Sequence, residues 1–442
     1  MAIEVPGRSA PVLIDADVVV AGGGSAGIAA AVTAAQQGAR TVLLERYGFL
    51  GGNATAAYVG SVCGLWRTTS DGFDYVSRGF AQQWAESLVK RGGAFGPAPY
   101  KESAVLVYVP WHYKRQADVF VQREPNLTAL LHATVTDVVR TGRVIDAVIV
   151  GSKRGPVAIT ASVFIDASGD ADVAFHAGCR VESGGAGQRQ FPSIQLMMQH
   201  VDVQAFADAG LNQMLGELLA TTGQSTQWNL TRSAGSAIPS LRPGEVTAAM
   251  TRVGVGEDYH SPDMTDLFEA TEAEFTGRAV AERTAAFLKA EVPGFGESYL
   301  ADTPTQLGIR ETRRGVGEYV MTGEDVLGAA RFDDAIGCGA WPQELHVTGK
   351  GTEYIWLEPG AYYQMPLRSL IAADADNLLL AGRCFSATHE ALASTRVIGP
   401  SMTQGEAAGV IAALAAQKGL PVRSVDAAEA QRILAGRGAF LG

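Results

Sequence analysis

The sequence predicts an α/β chain organised on a parallel sheet, and three observations carry that prediction. Asp17-Val18-Val19-Val20-Ala21 is a β-branched run too short for a helix and consistent with a buried parallel strand. It passes at once into Gly22-Gly23-Gly24-Ser25-Ala26-Gly27, after which Ile28 to Gln37 are helix formers with Gly38 as a fitting stop. Thr41-Val42-Leu43-Leu44 then makes a second buried strand ending in Glu45. Strand, turn, helix and strand form one βαβ unit of about thirty residues.

The remaining elements follow in order. Phe49 to Pro110 is rich in glycine and aromatics, with weak periodicity and one helix from Gly79 to Arg91. A further helix is expected around Tyr113 to Gln122. Leu127 to Val138, Val144 to Val150 and Val157 to Ile165 are β-rich and resemble a small antiparallel meander whose last strand returns to the main sheet. The glycines at 184, 185 and 187 follow no predicted strand and read as a loop. Residues 200–300 read as mostly helical, punctuated by Pro239, Pro243, Pro262 and Pro293, and as an inserted cap or substrate region. Helices are expected over Ile309 to Met321 and Pro400 to Gln417, the latter amphipathic, with a short buried strand at Asn377 to Ala381. No internal repeat is visible.

Composition bounds the function. At ~100–200 residues per domain, 442 residues allow two to four domains, and a 47% hydrophobic content excludes general disorder. Fifty-two glycines without a Gly-X-Y period exclude collagen, so the surplus glycine belongs at particular places. A net charge of -11 without basic blocks gives no footprint for nucleic acid. Cys63, Cys179, Cys338 and Cys384 form no CxxC, which indicates neither a metal site nor a disulfide framework and suits a reducing cytoplasm. The start of the chain, with Glu4 and Pro6, does not resemble a signal peptide. Residues 18–39 reach the ~20 residues of a membrane span, but their order reads as strand, turn and helix, so no span is expected.

Glycines 22, 24 and 27 stand directly after a strand and open a helix, the context a dinucleotide fingerprint requires. The first permits the turn, the second lets backbone approach a diphosphate, and the third lets the helix pack on the strand. The helix N-terminus offers free N–H groups to the phosphates. Glu45, 23 residues after Gly22, is placed to accept hydrogen bonds from a ribose 2′-OH and to repel a 2′-phosphate, favouring FAD or NAD over NADP.

Beyond Glu45-Arg46, Gly51-Gly52-Asn53-Ala54-Thr55 adds a second glycine pair. With it the chain resembles the FAD-dependent oxidoreductases of the glutathione-reductase and fumarate-reductase type. Ile165-Asp166-Ala167-Ser168-Gly169-Asp170 looks like their second flavin signature, and Leu380-Ala381-Gly382-Arg383 like their C-terminal one. Arg310-Glu311-Thr312-Arg313-Arg314, Gly323-Glu324-Asp325-Val326, Arg331 to Ile336 and Ala381 to Glu390 look closer still to a little-characterised subfamily. The likeness is thin only over residues 200–300. It implies a discontinuous Rossmann-like FAD-binding domain from residues 1–60, 110–180 and 370–442, interleaved with an α+β substrate or cap domain from 61–109 and 181–369. It implies non-covalent FAD held by Gly22, Gly24, Ser25, Ala26, Gly27, Glu45, Arg46, Gly51, Gly52, Asn53, Ala54, Val135, Ser168, Gly169, Asp170, Gly382, Arg383, Ser401 and Met402. In such proteins the helix opening near Pro400 points at the flavin pyrimidine, where N–H groups of Ser401, Met402 and Thr403 would stabilise negative charge on the reduced ring. Gly405 and Gly409 would let that helix sit close to the nucleotide domain.

The expected activity is hydride transfer between a small organic substrate (alcohol, amine or C–C bond) and flavin N5. Oxygen or an external acceptor would reoxidise the flavin, because no second fingerprint for a nicotinamide is encoded. Without a redox CxxC, disulfide reduction is excluded. His389 is the candidate base, with structural hydrogen bonding as its alternative. Arg396 and Arg310 are candidates for holding a carboxylate or offsetting flavin charge, against pairing with Glu390, Glu311 or Glu318. Tyr58, Trp66, His112 and Tyr113 are pocket or packing residues, and Cys63 is a remote candidate for a thioether to the flavin. The competing readings are a flavin monooxygenase or halogenase and a non-catalytic nucleotide-binding protein. A homo-oligomer is possible on this reading, and no metal is expected.

Overall fold

The computed structural model describes residues 9–185, 188–346, 349 and 351–442. Its main sheet has seven strands: β1 (Val12–Ala21), β2 (Thr41–Glu45), β3 (Leu127–Leu131), β4 (Thr134–Thr141), β5 (Val144–Gly151), β6 (Val157–Asp166) and β7 (Leu378–Leu380). β3, β2, β1, β6 and β7 run parallel in that spatial order, while β4 and β5 form an antiparallel flap on the first half of β6. The predicted meander therefore exists, but Leu127 to Val138 is two strands. The chain breaks at His132, whose φ is +56°, so that β3 joins β2 and β4 starts the meander.

Six helices matter for the site: α1 (Ser25–Gln36), α2 (Phe80–Lys90), α3 (Pro110–Gln122), α4 (Leu267–Glu291), α5 (His389–Thr395) and α6 (Ile398–Lys418). Helix α6 departs from the expected amphipathic pattern, since every residue from Gly399 to Ala415 is buried. It lies against α1, and glycine makes the approach possible. A Cβ on Gly405 would stand 2.1 Å from the Ala26 carbonyl oxygen, and one on Gly409 2.5 Å from that of Ala30. Gly405→Val must part the two helices at the centre of the largest core. A loss of about 3 kcal/mol is expected, at the upper end for overpacking, read as a lower urea midpoint at unchanged slope.

Residues 194–307 form a second unit with its own core, which includes Leu196, Phe206, Val246, Phe287 and Phe295. The predicted helices are there, but so is a four-stranded antiparallel sheet from Leu196–Gln199, Ser236–Pro239, Val246–Ala249 and Tyr299–Asp302. By contrast, α2 packs through Phe80 and Trp84 into the core shared by α1 and α6.

Two local expectations are corrected. Ile309 to Met321 is extended rather than helical, with Arg313–Gly315 pairing antiparallel to Val181–Ser183. Alternation explains it: Arg313 reaches Asp172 on one side while Arg314 turns to Glu311 on the other. Gly184 and Gly185 therefore do follow a strand, as the turn after Val181–Ser183, and Gly187 lies outside the described residues.

Candidate functional site

The carboxyl ends of β1, β6 and β7 meet at one crevice, the place where open parallel sheets bind ligands. The Gly22 N–H donates to Leu44 O at 2.8 Å, that of Ala167 to Ala21 O at 2.8 Å, and that of Ala381 to Asp166 O at 2.9 Å. Gly22 has φ +99°, and a Cβ there would stand 2.4 Å from the Ala167 carbonyl oxygen, so the turn requires glycine. Gly51 donates to Gly23 O at 2.8 Å, which lays the second glycine pair against the first.

A cleft runs over this junction, lined by Gly22, Gly24, Ser25, Ala26, Glu45, Arg46, Gly52, Asn53, Ala54, Ser168, Gly169, Gly382, Arg383 and Ser401. Helix α1 starts at its floor with no side-chain cap, and its first backbone bond is Ile28 N–H to Gly24 O. The N–H groups of Ser25, Ala26 and Gly27 thus have no acceptor within the helix, and Ser25 and Ala26 line the cleft. Glu45 is buried and accepts from the N–H groups of Gly23 and Tyr47, each at 2.8 Å; burial raises its carboxyl above the ordinary range. Burial would raise Asp170 too, but the charges of Arg383, at 2.7 Å, and Arg46, at 3.3 Å, outweigh it and hold the carboxyl low.

Of the expected cofactor residues, Gly27, Gly51 and Asp170 sit directly behind this lining, against Gly22, Gly23 and Arg383 respectively. Val135 lies half-buried on β4 opposite Val150, and Met402 is fully buried; neither lines the cleft.

Helix α6 begins at Ile398, two residues earlier than expected, because Val397 already has extended capping geometry. Pro400 is then the third helical residue, and the Ser401 N–H is used by Val397 O at 3.0 Å. Gly399 donates to Cys63 O at 3.0 Å. The N–H groups expected at Ser401, Met402 and Thr403 are therefore internal to the helix, and Ile398 is the residue at its mouth.

Asn53, Ile309, Arg396 and Ile398 line both this cleft and a second cavity of about 290 Å³. The second cavity holds a polar cluster drawn from four distant segments. Glu344 accepts at its two carboxylate oxygens from His346 Nε2, Tyr354 OH and Trp341 Nε1, each at 3.1 Å. The Thr352 hydroxyl lies 3.2 Å from His346 Nδ1 and accepts from Arg232 at 2.5 Å. Burial would raise Glu344, but the His346 hydrogen bond and the charges of Arg396 and Arg310 hold it well below the carboxylate range. Burial and then Arg310 hold His346 well below its ordinary value, so its ring is neutral. Burial, then the charges of Arg396 and Arg232, push Arg310 down to about 9.

Sequence reasoning singled out two members of this cluster, Arg310 and Arg396, and missed Arg232, Glu344, His346 and Tyr354. A signal for the last three existed. Glu344 lies on a strand, Gln343–Leu345, with His346 directly after its end, and the hairpin partner places Tyr354 directly opposite Glu344. Arg310 and Arg396 do not pair with Glu390, Glu311 or Glu318: Arg310 donates to Phe191 O at 2.8 Å, and Arg396 to Gln190 Oε1 at 3.1 Å and Glu344 O at 3.3 Å.

His389 lines neither cavity. Its Nδ1 lies 2.7 Å from Glu311, which also pairs with the buried Arg314, and Gly185 covers the ring. Tyr113 is buried with its hydroxyl 2.8 Å from Ser25 Oγ, Trp66 is core, and Tyr58 bonds Asp302 at 3.1 Å. His112 lines neither cavity. Cys63 does line the second one, where burial pushes its thiol up, away from the thiolate a thioether link needs. A larger cavity of about 1000 Å³ near Phe191, Tyr259 and Arg283 shares no lining residue with the glycine cleft.

The family model described as FAD dependent oxidoreductase matches residues 17–434. Among solved structures, the chain is similar to a geranylgeranyl bacteriochlorophyll reductase-like protein of Thermoplasma acidophilum, at 12% identity and TM-score 0.48, over 96% of this chain and 84% of that one. It is similar to p-nitrophenol 4-monooxygenase of Pseudomonas putida at 11% identity and TM-score 0.46, over 96% and 84%. A flavin-dependent brominase matches at 12% identity and TM-score 0.45, over 96% and 83%. No curated protein matches the chain. No helix among the described residues is long and apolar enough to cross a membrane.

Proposed function

The chain belongs to the FAD dependent oxidoreductase family, and from that premise we propose that it moves a hydride between FAD and a small organic substrate held in the cavity of Arg232, Arg310, Arg396 and Glu344. The observation that carries this is the continuity of the two spaces: Asn53, Ile309, Arg396 and Ile398 belong to both. A dinucleotide lying on the glycine turn would end where the polar cavity begins.

FAD is the cofactor of this family, and the residues fit it. The uncapped start of α1 would hold the diphosphate, Glu45 the ribose, and Arg383 with Gly382 the segment toward the ring. When bound, FAD supplies the two-electron chemistry, and oxygen or an external acceptor takes the electrons on. The protein's own part is position, exclusion of water and proton handling. Apolar Val105, Val107, Ile238 and Val397 close one side of the cavity. The neutral ring of His346, 3% exposed, is the imidazole available there, and the Thr352 hydroxyl on its Nδ1 leads a substrate proton toward it. The unit of residues 194–307 contributes Gln195, Arg232 and Ile238 to the wall, which supports reading it as the substrate side.

The test is an anaerobic screen of alcohols, amines, hydroxy acids and enoates, followed by the flavin absorbance near ~450 nm. A substrate that bleaches the flavin without added nicotinamide is expected. Bleaching only by a reduced nicotinamide would point to a monooxygenase cycle instead, and a protein that refuses FAD would end the reading. With a substrate in hand, His346→Ala is expected to slow anaerobic reduction by roughly 10²–10⁴-fold. His389→Ala is expected to lower stability and leave that rate within about twofold; equal losses of rate in both variants would reinstate His389 as a proton carrier.

A further inference from the structure

The cavity beside the flavin cleft carries more positive charge than the protein itself neutralises. Arg232, Arg310 and Arg396 all line it, and among the described residues none of the three forms an ion pair with a carboxylate. Two acidic groups close to Arg310 in sequence are engaged elsewhere: Glu311 with Arg314 and His389, and Glu318 with Arg423. Glu344, the one carboxylate among the described lining residues, is saturated by His346, Tyr354 and Trp341. Three guanidiniums against one carboxylate, with a neutral His346, leave an excess of two positive charges in a space lined also by Trp341, Val107 and Val397, and the exposed Lys101, over the Tyr354 ring, adds a further cation to the lining.

Unmet hydrogen bonds point the same way. The Nε atoms of Arg232 and Arg396 are buried without a partner among the described residues. Arg232 is 7% exposed. A buried charged donor left unpaired is costly, and such groups are ordinarily met by a partner. Arginine's planar fork is suited to carboxylate oxygens in particular.

We propose that this cavity binds the substrate through carboxylate groups, and that its charge is balanced by a small organic dianion carrying two of them. The inference rests on the reading of the cavity as the substrate site. It sets the substrate class: a dicarboxylate whose reactive carbon lies toward Ile309 and Ile398, at the flavin end, with its charged ends among the arginines. At about 290 Å³ the cavity sits at the small end of the ~300–1,000 Å³ usual for ligand sites. A compact metabolite fits this, and a long acyl chain does not.

The experiment is a titration of the FAD-loaded protein at constant ionic strength, read by the flavin difference spectrum and repeated by calorimetry. The probes are succinate, butyrate, butane-1,4-diol and inorganic sulfate. Succinate is expected to bind at least tenfold more tightly than butyrate or sulfate, and the diol not at all. Succinate affinity, unlike any response to the diol, is expected to fall with added salt. Arg232→Gln, Arg310→Gln and Arg396→Gln should each weaken succinate by tenfold or more with flavin retained, and Arg232→Lys should restore part of it. Equal responses to succinate and the diol, or sulfate binding as well as succinate, overturn the proposal, as do three folded, yellow variants with unchanged affinity. Loss of flavin is scored separately before titration. A colourless wild-type protein that still binds succinate by calorimetry would sink the flavin reading and keep this one.

Discussion

Gly24→Asp is expected to yield a folded protein that no longer carries flavin. Gly24 has φ -72° and ψ -176°, a conformation open to any residue, and a Cβ built there meets only the Gly52 Cα, at 3.8 Å. Nothing in the protein alone forbids a side chain at this point. What the space serves is the cleft, where the uncapped N–H groups of Ser25, Ala26 and Gly27 await an anion. An aspartate there offers its own carboxylate to those groups and opposes a diphosphate, and like charges brought together cost several kcal/mol. FAD affinity should fall by about 10³-fold or more, equivalent to ~4 kcal/mol, while the thermal transition of the apoprotein stays near that of wild type. Gly24→Ala should lose far less, because it adds volume and no charge. The readout is the flavin content of purified protein and titration of the apoprotein with FAD. A yellow Gly24→Asp protein of wild-type affinity would mean that the diphosphate lies elsewhere. Gly22 is not equivalent: with φ +99° and backbone at 2.4 Å, a substitution there disturbs the turn itself.

That contrast between the two glycines also marks what the sequence made legible. The strand, turn and helix from Val18 to Glu45 obey local rules, so the first βαβ unit and its crevice could be read directly. Helix α2 was readable almost to the residue, since Gly79 precedes it and Arg91 follows it. Elsewhere tertiary pairing outweighed local preference. A helix is expected over Ile309 to Met321, yet Arg313 and Arg314 serve partners on opposite sides, as an extended chain permits. Helix α6 looked amphipathic because Gln404 and Glu406 are polar, but each is buried against a partner. Gln404 accepts from the Gly382 N–H at 2.8 Å, and Glu406 accepts from Arg437 at 2.9 Å. The cavity was least legible of all. Arg232, Arg310, Glu344 and Arg396 come from four segments separated by dozens of residues, and no spacing rule relates them.

The position of His389 leads to the second large effect: Glu311→Ala is expected to destabilise the fold by about 3–5 kcal/mol, the usual cost of removing one partner from a buried ion pair. The Glu311 side chain is 0% exposed and that of Arg314 3%. One Glu311 oxygen pairs with Arg314, and the other takes the Gln190 N–H at 3.0 Å and His389 Nδ1 at 2.7 Å. Truncation removes the only buried carboxylate from this group and leaves the Arg314 guanidinium with the carbonyls of Ala387 and Gly184 and a distant Glu182 at 3.8 Å. Glu311→Gln keeps the shape and loses the charge, so it should fall between wild type and Glu311→Ala. The double variant Glu311→Leu with Arg314→Met removes both charges, and it should be more stable than Glu311→Leu alone, because the penalty lies in the orphaned cation more than in the lost attraction. Urea unfolding at fixed FAD concentration checks the order, since bound cofactor would otherwise add to the apparent stability. A Glu311→Ala midpoint equal to that of wild type would show that water reaches Arg314. His389 would then have to be reconsidered as a group open to the site rather than sealed behind Gly185.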